Sequence, residues 1–284
     1  MREIAPNVYV STFYPGINVG CICTADGIVA VDAPLRREDA LAWRDQLRQL
    51  GGLPIRWLVL TDSCLDRLAG AAWMGVSVIA GRGALRRFQE GGEAGWRLAV
   101  EEWACRRPGA GEWDAVRLPV PQIAVAGRLT LHTSPLVVVE AVAGPAVGSI
   151  WLRLPELRIV FAGDVVVCGA IPPLSASPDT RAWLKTLVEM RRERFRVAQI
   201  VPGRGPVCDK AATTPQSEYM QRIRRRVRSL HLAGGRRDEL ASLMDEFLRF
   251  FPPAAEDAEW ARREVLASLE RLYDELSPQS VGSA

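Results

Sequence analysis

Histidine is nearly absent from this chain of 284 residues, which contains only His132 and His231. The scarcity counts against metal centres built on several histidines. It also counts against a thiol nucleophile, because a catalytic cysteine usually needs a histidine base. A functional site is therefore expected to rest mainly on other side chains.

Long apolar runs and paired cysteine motifs are missing as well. No segment reaches the roughly 18 uninterrupted apolar residues of a membrane span, and no charged stretch followed by an apolar core opens the chain. These absences favour a cytoplasmic protein with no membrane partner. The six cysteines show no C-x-x-C spacing for structural zinc, so reduced thiols are expected. A net charge of +3 is too small to indicate nucleic-acid binding.

Two β-rich halves, each accompanied by helical segments, make up most of the chain. The first half has predicted strands at 8–10, 18–23, 28–32, 55–60 and 76–80 and a helix at 37–50. The second half has predicted strands at 123–125, 129–131, 136–139, 150–154, 158–162 and 198–201 and a helix at 180–194. This order predicts an α/β (α+β) protein arranged as a four-layer αββα sandwich.

The remaining segments are predicted to be helical. Region 84–115, which contains Trp96, Trp103 and Trp113, is expected to form helices over the mouth of the site. From about residue 215 onward, apolar residues recur at spacings of three and four, which predicts three amphipathic helices. The chain is therefore divided into a domain at 1–212 and a helical C-terminal extension at 213–284.

Four short motifs carry a family resemblance, in order along the chain. The segment Thr61-Asp62-Ser63-Cys64-Leu65-Asp66-Arg67 follows a buried strand. Gly144-Pro145-Ala146-Val147-Gly148-Ser149, Phe161-Ala162-Gly163-Asp164 and Val201-Pro202-Gly203-Arg204-Gly205-Pro206 come later. Over residues 5–212 this pattern resembles the metallo-β-lactamase superfamily, with its T-H-x-H-x-D-H, G-H-T-x-G-S, G-D and V-P-G-H-G-P elements. The resemblance implies the αββα metallo-β-lactamase sandwich.

The resemblance also implies a metal site that has lost its histidines. The former metal-site positions are Asp62, Cys64, Asp66, Arg67, Pro145, Asp164 and Arg204. Only the aspartates at 66 and 164 match the family, and all five histidine positions hold other residues. Proline has no side-chain donor atom, and arginine stays protonated without an acceptor lone pair.

Two arginines among carboxylates are expected to replace the metal ion. Arg67 and Arg204 are predicted to pair with Asp66 and Asp164, which gives a salt-bridge cluster and no bound metal or other cofactor. The alternative is a centre of zinc, iron or manganese on Asp62, Cys64, Asp66 and Asp164. Two guanidinium groups placed among these residues would repel a divalent cation.

Three interpretations of this site remain open. The cluster is purely structural, or Arg67 and Arg204 bind an anion, or Cys64 is a reactive thiolate. We therefore predict a degenerate, non-enzymatic homologue that binds a small anionic ligand or a protein partner. The alternative is a metal-dependent hydrolase of thioesters, lactones or phosphodiesters.

The predicted C-terminal helices contain the features of the sequence that concern binding partners. The arginines at 222, 224, 225, 226 and 228 form the densest basic run, which is interpreted as a solvated helix face rather than a nucleic-acid site. By analogy with the resembling families, the helical extension is a possible homodimer interface.

Overall fold

The computed structural model describes residues 1–86, 89 and 120–276, apart from the side chains of Leu65, Asp66 and Glu256. Its described strands form one sheet of seven strands and one of five. Most of the predicted segment at 84–115 lies outside the described residues, so the helices expected there stay a prediction.

The first sheet follows the chain order from β1 to β7. Its strands are β1 (Arg2–Ala5), β2 (Val8–Ser11), β3 (Val19–Thr24), β4 (Gly27–Val31), β5 (Ile55–Leu60), β6 (Val78–Gly81) and β7 (Ile123–Val125). The first four pair antiparallel, and β4 to β7 pair parallel. Every residue of β4 is buried, as expected for a parallel strand covered on both faces.

The second sheet has the order β12-β11-β10-β9-β8. Its strands are β8 (Arg128–Leu131), β9 (Val137–Ala141), β10 (Ile150–Leu154), β11 (Ile159–Val167) and β12 (Gln199–Arg204). The end predicted for the strand at 158–162 was wrong, because β11 continues through Gly163 and Asp164 to Val167, which pairs with Arg204 of β12. Gly163, at a φ of 53°, accommodates an irregular register without ending the strand. Asp164 therefore lies inside a buried strand.

Helices cover the outer faces of both sheets. They are α1 (Arg37–Gln49), α2 (Leu65–Ala72), α3 (Thr180–Arg191), α4 (Thr213–Leu232), α5 (Met244–Phe250) and α6 (Ala258–Asp274). Two 3₁₀ helices, Arg237–Leu243 and Ala255–Asp257, precede α5 and α6. None of the described helices has the length and apolarity that crossing a bilayer requires.

Three apolar cores separate the layers. Trp43 of α1 and Leu68 of α2 pack with the outer face of the first sheet. Val29 and Phe161 belong to the core between the sheets. The third core joins the second sheet to α3 and to the C-terminal helices α4, α5 and α6. The αββα order of layers is therefore as predicted, whereas the division of the chain at residue 212 stays a prediction.

Candidate functional site

The candidate site lies where the ends of β4, β5 and β12 approach the middle of β11. Asp32 follows β4, Asp62 follows β5, Asp164 is part of β11, and Arg204 is the last residue of β12. Hydrogen bonds from Asn18, just before β3, fix the end of β12. Its Nδ2 donates to the carbonyls of Pro202 at 2.8 Å and Gly205 at 2.7 Å, and its backbone amide donates to the carbonyl of Gly203 at 2.7 Å.

Arg67, in the first turn of α2, is the centre of the site. Its guanidinium is 1% exposed and contacts three carboxylates from three different segments. Nη1 lies 2.7 Å from Oδ2 of Asp32, Nε lies 3.0 Å from Oδ2 of Asp62, and Nη2 lies 2.7 Å from Oδ1 of Asp164. One planar cation therefore joins the ends of β4 and β5 to β11.

Arg204 binds the opposite side of Asp164. Its Nη2 lies 3.0 Å from Oδ2 of Asp164, and its Nε lies 3.2 Å from the same oxygen. The side chain of Arg204 is 13% exposed, and its guanidinium carbon lies 5.3 Å from the ring centre of Trp260 in α6. Asp164 thus binds both arginines, Arg67 through Oδ1 and Arg204 mainly through Oδ2. We call Asp32, Asp62, Arg67, Asp164 and Arg204 the arginine–carboxylate cluster.

Asp32 is a member of the cluster that the sequence prediction missed. Its carboxylate accepts hydrogen bonds from the Thr61 amide at 2.9 Å and the Thr61 hydroxyl at 2.7 Å. Burial raises its pKa to about 6, and Asp62 adds to the rise, whereas Arg67 and Thr61 act in the opposite direction. The sequence feature that could have identified Asp32 is its position directly after the apolar run of β4.

Gly203 leaves the space that the cluster occupies. A Cβ atom at this position would lie 2.0 Å from Oδ1 of Asp164 and 2.6 Å from Nη2 of Arg67. Any larger residue would push the two charged groups apart. The glycine of the Val201-Pro202-Gly203-Arg204 motif therefore has a packing role here.

Helix α6 adds a further carboxylate beside Arg204. Glu264 accepts hydrogen bonds from the Ser175 amide at 3.2 Å, the Ser175 hydroxyl at 2.9 Å and the Ser268 hydroxyl at 2.9 Å. Burial raises the pKa of Glu264 above its usual value, while these bonds and the charge of Arg204 oppose the rise. Neither Glu264 nor Trp260 was predicted as part of the site, because both are contributed by the distant C-terminal region.

The predicted partners of the arginines are found in part. Both arginines bind Asp164 as expected, and Arg67 also binds Asp32 and Asp62. The side chain of Asp66 lies outside the described residues, so its predicted pairing stays a prediction.

The carboxylates at the site outnumber its two guanidinium groups. There are four of them, from Asp32, Asp62, Asp164 and Glu264. The predicted anion binding at Arg67 and Arg204 gains no support from this balance of charge.

The side chains at this site do not fit a divalent metal ion. The guanidinium of Arg67 lies between the carboxylates of Asp62 and Asp164, where a cation bound by both would have to sit. Pro145 is buried and offers no donor atom, and Cys64 is half-buried. Among the described side chains, which do not include that of Asp66, no three from His, Cys, Asp or Glu are grouped to hold a metal.

Comparisons with known proteins identify the fold. No family model and no curated protein matches the chain. Among solved structures, a double mutant of the sec-alkyl sulfatase PisA1 superposes with a TM-score of 0.71 at 16% identity, over 96% of this chain and 49% of that one. A metallo-β-lactamase family protein from Thermus thermophilus gives a TM-score of 0.66 at 19% identity, over 96% and 95% of the two chains. The DIM-1 metallo-β-lactamase gives 0.60 at 17% identity, over 78% and 95%.

These likenesses confirm the predicted metallo-β-lactamase fold. The Thermus protein is matched over nearly its whole length, C-terminal helices of this chain included. The chain spans about half the length of the alkyl sulfatase. At such low identity the comparisons concern the fold, and the activity must be argued from the site.

Proposed function

Because the chain has the metallo-β-lactamase fold, we propose that it is a degenerate form that works by binding rather than by metal-dependent hydrolysis. Its partner is a small anionic ligand or another protein. The observation that carries the proposal is the position of Arg67, whose guanidinium contacts three carboxylates at 2.7 to 3.0 Å. The arginine supplies the positive charge that a metal ion supplies in an active relative.

Loss of hydrolytic chemistry follows from this replacement. A metal ion in a hydrolase lowers the pKa of a bound water and so generates hydroxide near neutral pH. A guanidinium has no open coordination position and cannot do this. The carboxylates of Asp62 and Asp164 are also engaged by Arg67, so they are not free to act as general bases.

Metal analysis and removal of Arg67 test the proposal together. Purified wild-type protein is expected to hold substoichiometric zinc, iron and manganese, and added Mn²⁺ should leave its melting temperature unchanged. Arg67→Ala leaves three buried carboxylates without their common cation, which costs about 3–5 kcal/mol of stability. Mn²⁺ should then stabilise this variant, because oxygen ligands suit that ion and a ligand stabilises the state that binds it.

Arg204→Ala is the matched control. Within the cluster Arg204 binds the carboxylate of Asp164, and its side chain is partly exposed. Removing Arg204 should therefore lower the stability less than removing Arg67 does, and it should create no response to Mn²⁺.

If Arg67→Ala does not fold, the metal content and the hydrolytic activity of the wild-type protein still test the proposal. Stoichiometric metal would refute the proposal. So would hydrolysis of thioester, lactone or phosphodiester substrates that Asp164→Ala abolishes, and this result would support the Asp62, Cys64, Asp66 and Asp164 centre.

A further inference from the structure

A groove between α3, α4 and the end of α6 collects five arginines. It has a volume of about 1110 Å³, and we call it the arginine groove. Its cationic lining consists of Arg181, Arg224, Arg225, Arg228 and Arg271. None of these residues belongs to the arginine–carboxylate cluster, so the groove is a separate feature of the molecule.

Helical periodicity explains why α4 contributes most of this charge. Gln221, Arg224, Arg225 and Arg228 are spaced by three and four residues, which places them on one face of the helix. Arg222 and Arg226 lie on another face and bind Glu246 at 2.6 and 2.9 Å. The basic run is thus divided between ion pairs with Glu246 and the groove. The side chains of Arg222 and Arg226 are about half exposed, and Arg225 and Arg228 are exposed as well, so the interpretation of the run as a solvated helix face is not contradicted.

The carboxylates that line the groove do not neutralise it. Three are present, from Asp179, Asp274 and Glu275, against five guanidinium groups, which leaves a net charge of +2. Asp179 accepts hydrogen bonds from the amides that begin α3, and Asp274 pairs with Arg237 outside the groove at 3.3 Å.

Three of the arginines are available to a ligand. Glu275 binds Arg224 at 3.1 Å and Arg271 at 3.5 Å. Arg181, Arg225 and Arg228 are exposed and form no ion pair with any residue in the described ranges. Like charges on adjacent turns of a helix repel each other. A bound anion would relieve that repulsion.

We propose that the arginine groove binds a small anion carrying two or more phosphate groups. The planar fork of arginine matches phosphate oxygens in a bidentate manner, and a net charge of +2 calls for a ligand with several negative charges. The volume is slightly above the range of about 300–1,000 Å³ that is usual for small-molecule sites. Leu184, Leu272 and Leu276 add an apolar wall that an organic portion of the ligand would contact. The inference goes beyond the proposed function, because it concerns a different site and stands whether or not the cluster excludes metal.

Calorimetric titration with inorganic pyrophosphate at constant ionic strength tests this site. Wild-type protein should bind pyrophosphate more tightly than it binds chloride or acetate. Arg225→Gln/Arg228→Gln should weaken that affinity by about tenfold or more, because it removes charge-assisted contacts. Arg222→Gln/Arg226→Gln is the matched control, since it removes the same charge from the same helix outside the groove. Its affinity should stay within about threefold of wild type.

Circular dichroism must show that both double variants are folded. If the groove variant is not folded, Arg181→Gln replaces it, because this exposed residue lies on α3 and its side chain forms no ion pair with a described residue. The proposal would be overturned if wild-type protein did not bind pyrophosphate. It would also be overturned if the two double variants lost the same amount of affinity for pyrophosphate. Binding to phosphoinositide vesicles or to single-stranded DNA without binding to pyrophosphate would overturn it in favour of a membrane or nucleic acid.

Discussion

At the scale of single residues, the cluster depends on the shape of one side chain. The three nitrogens of the Arg67 guanidinium point in different directions in a plane, and each meets a carboxylate from a separate segment. A lysine would offer one compact charge and could not span the same positions. The buried carboxylates of Asp32, Asp62 and Asp164 are therefore all paired with one cation that the chain itself supplies.

Asp32 makes the stability of the cluster depend on pH. Its pKa in the folded protein is raised from the ordinary value of 3.8 to about 6. The folded protein thus binds this proton more strongly than the unfolded chain does, so the contribution of Asp32 is full below pH 3.8 and is lost as the pH rises through 6. The unfolding free energy of wild type relative to Asp32→Asn should fall by on the order of 1–3 kcal/mol across this window.

Urea denaturation of both proteins at several pH values measures this difference. Asp26→Asn, in the exposed turn before β4, controls for the general loss of one carboxylate. A difference between wild type and Asp32→Asn that does not change with pH would contradict the raised pKa.

At the scale of elements, α6 closes the site from the outside. Trp260 stacks on Arg204, and Glu264 joins α6 to the segment after β11 through Ser175. This contact leaves 13% of the Arg204 side chain exposed. The C-terminal helix is therefore part of the candidate site as well as part of the core.

Truncating Trp260 should uncover Arg204. In Trp260→Ala the cation–π contact is lost, and with it about 0.5–2 kcal/mol of stability. The rate at which phenylglyoxal modifies Arg204, followed by peptide mass spectrometry, should rise several-fold because reagent reaches the guanidinium more easily. Arg262→Ala, at an exposed position of the same helix, should leave the rate unchanged. An unchanged rate in Trp260→Ala would show that α6 does not shield the site.

At the scale of the whole molecule, the C-terminal helices and the second sheet share one core. Trp183 of α3, Met220 of α4, Phe247 of α5 and Leu269 of α6 all belong to it and are fully buried. Apolar burial of this kind is the main stabilising contribution in a folded domain. The helical extension is thus integrated with the sandwich.

A chain ending at residue 212 is therefore expected not to fold. Removing α4, α5 and α6 would expose the outer side of the second sheet and leave Arg204 without Trp260. The truncated protein should bind a hydrophobic dye and lose its near-ultraviolet circular dichroism, as loosely packed states do. A chain ending at Leu276 keeps every described helix and serves as the control. Cooperative unfolding of the 1–212 fragment would show instead that residues 1–212 are an independent domain.

The local pattern of the sequence was enough to predict the layers of the fold. The strands at 55–60, 123–125 and 150–154 were predicted with their observed bounds, because apolar runs and turn residues act over short distances. The residues at the positions where the resembling family has histidine could also be identified from the sequence, since each motif is a short continuous segment. These features require no knowledge of which segments meet in space.

The tertiary structure decided which charges meet. Arg67 and Asp32 are 35 residues apart, and Arg204 meets Trp260 only because α6 packs across the end of β12. Residues 222–228 read as one basic run, yet packing divides them between Glu246 and the arginine groove. Hydrophobic periodicity specifies the buried face of a helix or strand but not its neighbours. The long-range contacts that assemble the cluster and the groove arise only when the two sheets and their helices pack together.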